Sequence, residues 1–187
     1  MEHIKRRKFL KNTVTSGAVL ALWGWKGKSQ GEAKKSVSRG PNLLIVYPDQ
    51  MRGQAMGFLD KEPVLTPNLD RFAKDSIVFT HAVANYPVCS PSRAMLMTGK
   101  YSHSNHVLNN CTSDAAAYDN DLRADEQCWS DMLKARGYNL GYIGKWHLDS
   151  PRRPFVNSYN NTEKFAWNEW TPPSKRHGFG FWYAYGP

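Results

Sequence analysis

The pentapeptide Cys89-Ser90-Pro91-Ser92-Arg93, followed by Ala94 to Met97 and then Thr98-Gly99-Lys100, places a thiol where a helix should begin. Pro91 suits a first helical turn, and Gly99 with Lys100 suits the end. An anionic group held at Cys89 would face unpaired N–H groups and the positive end of the helix dipole. Arg93 is four residues on, one turn along the same face, and would set a guanidinium beside it. Two other segments carry matching chemistry. Asp49 and Gln50 follow an apolar run and offer a carboxylate and a side-chain carbonyl, hard oxygen donors suited to Ca²⁺ or Mg²⁺. Lys145 and His147 stand two apart in Gly144-Lys145-Trp146-His147, so an extended segment would point both to one face. The lysine offers a point charge to an anion, and the histidine can donate a hydrogen bond or hold a proton. Each group also has a plainer reading. A lone Cys is usually a small buried hydrophobe, and an Asp after a strand is usually a turn or cap residue. Lys145 would then be solvated and His147 satisfied by backbone. On the pentapeptide alone, nucleophile and inert thiol are nearly level.

The elements that would position these groups alternate between strand and helix. Asn42 to Tyr47 is a continuous apolar run, the mark of a strand buried on both faces of a parallel sheet. Thr66 and Pro67 open a helix whose apolar face carries Leu69, Phe72 and Ala73. Ser76 to Val83 reads as a second strand, and the Cys89 helix follows. Asp125 is expected to cap a helix running to Arg136 and stopped by Gly137, and Tyr138 to Ile143 a third strand. From Pro151 onward, Pro, Asn and aromatics predict mostly loops. This alternation predicts an α/β fold with a mostly parallel sheet flanked by helices. In such sheets ligands collect at the carboxyl ends of strands, where Asp49 and Lys145 both fall.

The 187 residues suffice for a domain with a real core, and the 41% apolar composition is not that of a disordered chain. The net charge of +9 suggests nucleic acid at first sight. Residues 1–33, however, hold Lys5, Arg6, Arg7, Lys8, Lys11, Lys26 and Lys28 against Glu2 and Glu32, a net of +5. The +4 on the remaining 154 residues is modest and suits an anionic substrate as well, so no nucleic-acid partner is expected. Lys5-Arg6-Arg7-Lys8-Phe9-Leu10-Lys11, with the weak apolar stretch from Val14 to Trp25, resembles a twin-arginine export signal. Residues 1–33 are therefore expected to be a signal peptide read by the twin-arginine export machinery, 34–40 a polar linker, and 41–187 the folded part. The location expected is periplasmic or otherwise exported. Of the three cysteines, Cys111 and Cys128 are read as unpaired, the alternative being a disulfide between them.

The three motifs together resemble the type I sulfatases of the alkaline-phosphatase-like superfamily. The stretch at Cys89 is similar to the signature Cys-x-Pro-x-Arg followed by Thr-Gly. Pro41-Asn42 and Asp49-Gln50 are similar to the family's Pro-Asn, strand and acidic pair, in its Asp-Gln variant. Gly137-Tyr138 through Gly144-Lys145-Trp146-His147 is similar to the second signature. Arg176-His177-Gly178-Phe179 is a milder likeness, read as a fold segment that leaves His177 structural. The resemblance also implies that His103 and His106 belong to a loop that lies near the site in relatives, and His106 stands where many relatives have Gly.

The resemblance implies that a maturation enzyme oxidises Cys89 to formylglycine. Its hydrated form is a geminal diol. One hydroxyl attacks the sulfur of a sulfate ester, and the other later expels sulfate by re-forming the aldehyde. It further implies that Asp49, Gln50 and modified Cys89 hold Ca²⁺, with Mg²⁺ as the alternative. Arg93 would orient the diol, Lys145 grip the sulfate and His147 stabilise the diol or intermediate. The substrate would be a sulfated small molecule or carbohydrate. Family members are much longer, with distal metal ligands, so the chain is expected to be an N-terminal portion with little activity alone. The alternatives are a phosphate or phosphonate ester hydrolase of the same superfamily, or a non-catalytic truncated domain.

Overall fold

The structure is a computed structural model in which residues 40–186 are described. The expected signal peptide, and the linker up to residue 39, lie outside the described residues. The chain divides into two compact units, and all elements below belong to the second, from Val46 onward. Among the described residues no helix is long and apolar enough to cross a membrane.

Helix α1 spans Pro67–Lys74 and α2 spans Cys89–Thr98, both where the sequence places them. Pro67 opens α1, where its missing N–H costs nothing. Thr66 does not cap α1 through its side chain. It accepts the Gly57 N–H at 2.7 Å and donates to Asp70 at 2.7 Å, tying α1 to the 3₁₀ turn Gly57–Leu59. Helix α2 ends at Gly99, whose φ of 68° is the left-handed conformation glycine adopts freely. Helix α3 is the single turn Ser102–Asn105, ended by His106 at φ 64°. That conformation is the reason a glycine would suit position 106.

Helix α4, Trp129–Ala135, starts later than expected. Asp125 pairs with Arg123 instead of capping. The cap is at Cys128, whose N–H is accepted by the Asp131 carboxylate at 3.0 Å. Strand β1 is Gly141–Lys145, shifted towards the C-terminus from the expected Tyr138 to Ile143. Strand β2 is Phe181–Tyr185, in a region expected to be loop. The two pair in parallel, Gly141 against Phe181 through to Lys145 against Tyr185. The α/β class with parallel pairing therefore holds.

Two expected strands do not form. Residues 42–47 and 76–83 are irregular and exposed, with Leu44 86%, Ile77 85% and Val83 84% accessible. A strand's N–H and C=O groups need a neighbouring ladder. Among the described residues the only ladder joins β1 to β2. Periodicity and apolar content supply no partner.

The core lies between α2, α4 and the sheet. Ala94, Met97, Val107, Cys111, Cys128, Trp146, Leu148 and Phe179 are buried in one cluster. Tyr142, Trp146, Phe179 and Trp182 pack edge to face, stacked or, for Phe179 with Trp182, tilted, at centroid distances of 5.0–6.4 Å; an edge-to-face or stacked pair adds about 0.5–1.5 kcal/mol beyond area burial. This aromatic cluster fixes the carboxyl end of β1, from which Lys145 projects.

Candidate active site

Three of the sequence-predicted residues converge although they lie far apart in the chain. Arg93 donates from one guanidinium nitrogen to Asp49 Oδ1 at 3.0 Å and from the other to the Lys145 carbonyl at 2.6 Å. Lys145 Nζ reaches Asp49 Oδ2 at 3.3 Å. Arg93 is one helical turn into α2, and its side chain is 8% exposed. Lys145 is the last residue of β1. Asp49 sits in a turn whose next residue, Gln50, has a left-handed φ of 52°. The Asp49 carboxyl feels burial, which alone would raise its pKa, but Arg93 and Lys145 outweigh this and hold it below the usual range.

Two residues not singled out from sequence complete this cluster. Tyr142 donates its hydroxyl to the Lys145 carbonyl at 2.6 Å. Tyr47 bonds Ser92 at 2.8 Å and lays its ring against Arg93 at 5.2 Å, a cation–π contact. The 47–50 loop is thus fastened to α2 at both ends.

Cys89 is the first residue of α2 and is half-buried. Val88 before it is extended, and its carbonyl accepts the Ser92 N–H at 2.8 Å. Pro91 falls in the first turn, where its lack of an N–H removes no helical bond. The Ser90 N–H, one of the unpaired donors of that turn, is accepted by the Asn110 side chain at 3.2 Å.

His147 is 3% exposed, and neither ring nitrogen has a hydrogen-bond partner among the described residues. The expectation that extended backbone would turn it with Lys145 to one face fails locally. Its φ is 51°, so the alternation of a strand stops there. A left-handed non-glycine residue costs of order 1 kcal/mol, and the surrounding bonds must hold it. Desolvation pushes the His147 pKa down from 6.5 to about 4, with the Lys145 cation acting in the same direction. The unfolded chain therefore takes up a proton as pH falls below about 6.5, while the folded chain does so only near 4. Folding stability is expected to fall as pH drops through that window, by at most about 3 kcal/mol. Urea unfolding at about pH 7.5 and about pH 4.5 measures this, and His147→Phe should flatten the dependence.

The donor chemistry fits a hard divalent cation by type. Asp49 is ionised and, with Gln50, presents oxygen at one turn. Ca²⁺ takes six to eight oxygens, and Asp49 with Gln50 supplies at most about half of them. A second group of donors, Cys128, Asp131 and His177, comes within 4.8 Å. Here one Asp131 oxygen already accepts from the Cys128 N–H and contacts His177 Nδ1 at 3.2 Å, which makes it a helix cap braced by a buried histidine. Cys89, Cys111 and Cys128 are all free thiols. Burial pushes the Cys111 and Cys128 thiols up to about 12, leaving them protonated and inert. His103 stacks on Tyr101 at 5.8 Å.

An apolar groove of about 910 Å³ lies elsewhere, lined by Phe58, Leu69, Phe72, Ile77 and Phe79 among others, and contains none of the charged residues above.

Comparison with known proteins gives one consistent result. The family model described as Sulfatase matches residues 41–185. An endo-4-O-sulfatase of Bacteroides thetaiotaomicron is 38% identical over 183 residues, covering 89% of this chain and 35% of that protein. An ulvan-active sulfatase of Formosa agariphila is 39% identical over 144 residues, covering 77% and 24%. An N-acetylglucosamine-6-O-sulfatase of Bacteroides thetaiotaomicron is 33% identical over 122 residues, covering 65% and 20%. Among solved structures, yidJ of Bacteroides fragilis superposes with a TM-score of 0.73 at 56% identity, over 74% of this chain and 30% of that one. The chain thus spans about a third or less of the length of these relatives.

Proposed function

Because this chain belongs to the sulfatase family, we propose that it supplies the N-terminal share of a formylglycine- and metal-dependent sulfate ester hydrolase. The observation that carries this reading is the meeting of Asp49, Arg93 and Lys145, one from each of the three motifs. Two cations and one carboxylate beside a helix N-terminus form an arrangement for receiving and neutralising an anion.

Cys89 is the residue converted, by a formylglycine-generating enzyme. Its half-buried place at the first turn leaves the side chain reachable. The modified side chain supplies a geminal diol, with one hydroxyl to attack sulfur and the other to release sulfate. Asp49 and Gln50 would hold Ca²⁺, or Mg²⁺ in its place, with residue 89 as a third donor, and the ion would offset charge growing on the sulfuryl oxygens. Arg93, pinned by the Lys145 carbonyl, orients the group at residue 89. Lys145 turns its ammonium to a sulfate oxygen. His147, neutral at physiological pH, offers a hydrogen bond to the diol. One relative is named for action on N-acetylglucosamine, which supports a sulfated carbohydrate as substrate.

The oxygens available from these residues are too few for a firm Ca²⁺ site, so the 187 residues alone are expected to turn over little. A chimera in which residues 41–185 replace the aligned segment of the 56% identical yidJ tests the site in a complete fold. Matured and loaded with Ca²⁺, it is expected to hydrolyse 4-nitrophenyl sulfate in preference to an aryl phosphonate. The reverse preference would favour the phosphonate hydrolase. We also propose export by the twin-arginine route from the basic pair Arg6-Arg7. Replacing both by Lys is expected to retain the chain in the cytoplasm, and unchanged periplasmic fractionation would refute it.

A further inference from the structure

We propose that Ser90 is a positioning residue for His147: its hydroxyl locks the backbone of residue 147 onto the helix that bears Cys89. The inference rests on the sulfatase reading only for the use to which His147 is put.

Ser90 is fully buried. Its hydroxyl has one proton to donate, and that proton goes to the His147 carbonyl at 2.6 Å. The same oxygen accepts the Cys111 N–H at 3.0 Å. Its backbone N–H is accepted by Asn110 at 3.2 Å. One small side chain therefore joins the first turn of α2, the 110–111 segment and the residue after Trp146. The His147 ring has no side-chain bond among the described residues to fix its orientation. Its placement is set by packing and by a left-handed backbone, and the Ser90 hydroxyl holds the carbonyl of that residue. Lys145 and Arg93 face the ring and disfavour its protonation, while the Cys111 backbone and the Asp49 carboxylate favour it. A ring released from its burial among them would regain water and titrate nearer its ordinary value. No pattern in the sequence marks this residue, because position 90 is a free position of Cys-x-Pro-x-Arg.

The test uses the full chain with Ser90→Ala and Ser90→Thr, read by long-range ¹H–¹⁵N spectra of the histidine rings across pH. In the parent and the Thr variant, His147 is expected to titrate near the buried value of about 4. In the Ala variant the midpoint is expected to move at least about one unit towards 6.5, with faster exchange of the Cys111 amide. If Ser90→Ala lowers only the urea midpoint and leaves the His147 titration at the parental value, Ser90 is merely structural and the proposal fails. It fails equally if Thr does not restore the parental spectrum. Should the Ala variant not fold, Ser90→Cys, a weaker donor of similar size, is read in the same way and is expected to shift partway. All three variants keep Cys-x-Pro-x-Arg, so formylglycine formation at residue 89 is scored separately. Its absence would count against the sulfatase reading and leave the Ser90–His147 result standing.

Discussion

Cys89→Ala in the matured chimera is expected to lower sulfate ester turnover by at least about 10³-fold, with little change in folding stability. The two halves of that result have different causes. Cys89 is half-buried at the first turn of α2, and the turn is held by the Ser92–Val88 bond, by Asn110 and by the Ser90 hydroxyl, not by the thiol. Removing one partly exposed sulfur therefore deletes little packing. It does delete the thiol whose oxidation turns Cβ into an aldehyde, since the methyl group of Ala is not converted, and with it both hydroxyls of the diol. Water attacking sulfur directly is the residual route. Ser at position 89 is an informative second variant, since it has one hydroxyl but cannot expel sulfate by re-forming an aldehyde. It is expected to show at most a single burst of product. Turnover by Cys89→Ala at the parental rate would remove the nucleophile from the account.

Arg93 carries the second large effect, on stability and on chemistry together. Its guanidinium is the hub joining Asp49, the Lys145 carbonyl and the Tyr47 ring. Arg93→Ala leaves Asp49 with Lys145 alone and opens a gap beside the aromatic cluster. A broken buried ion pair costs about 3–5 kcal/mol, but the Asp49 side chain is 44% exposed and water takes up part of the loss. A loss of about 2 kcal/mol in urea unfolding is the expected size. Arg93→Lys keeps the charge but loses the planar fork, so it cannot serve Asp49 and the Lys145 carbonyl at once. In the chimera both variants are expected to lose about 10²-fold or more in kcat/KM. Formylglycine content is measured alongside, because Arg93 belongs to the maturation signature. Full activity in Arg93→Lys would mean that a point charge suffices there.

The site was more legible in the sequence than the sheet was. Asp49 and Lys145 can be placed at one sheet edge because each follows a predicted strand end, and Arg93 beside Cys89 because it lies one helical turn on; the family resemblance joins the three. Helix starts at Pro67 and Cys89 were legible because proline and glycine fix local backbone angles whatever the surroundings. The apolar runs at 42–47 and 76–83 form no strand because such a run states a preference for burial and pairing, while pairing requires a second strand. Phe181–Tyr185 shows the opposite case, a strand within a stretch that reads as loop. Its aromatic, β-favouring run lies among Pro, Asn and Gly residues, and that run of large residues is itself the signal for a strand. Ser90 and Tyr142 left no signal of any kind. Both act on backbone carbonyls, Ser90 on that of His147 far along the chain and Tyr142 on that of Lys145 within its own strand, and neither bond follows the periodicity that marks a helix or strand.

The central claim is that residue 89 is where the nucleophile is made. Mass spectrometry of the tryptic peptide containing residue 89, from the chain co-expressed with a formylglycine-generating enzyme, tests it most directly. The account predicts loss of sulfur at position 89, an aldehyde that reacts with hydroxylamine, and unmodified alkylatable thiols at Cys111 and Cys128. An intact, alkylatable thiol at Cys89 under those conditions would contradict it.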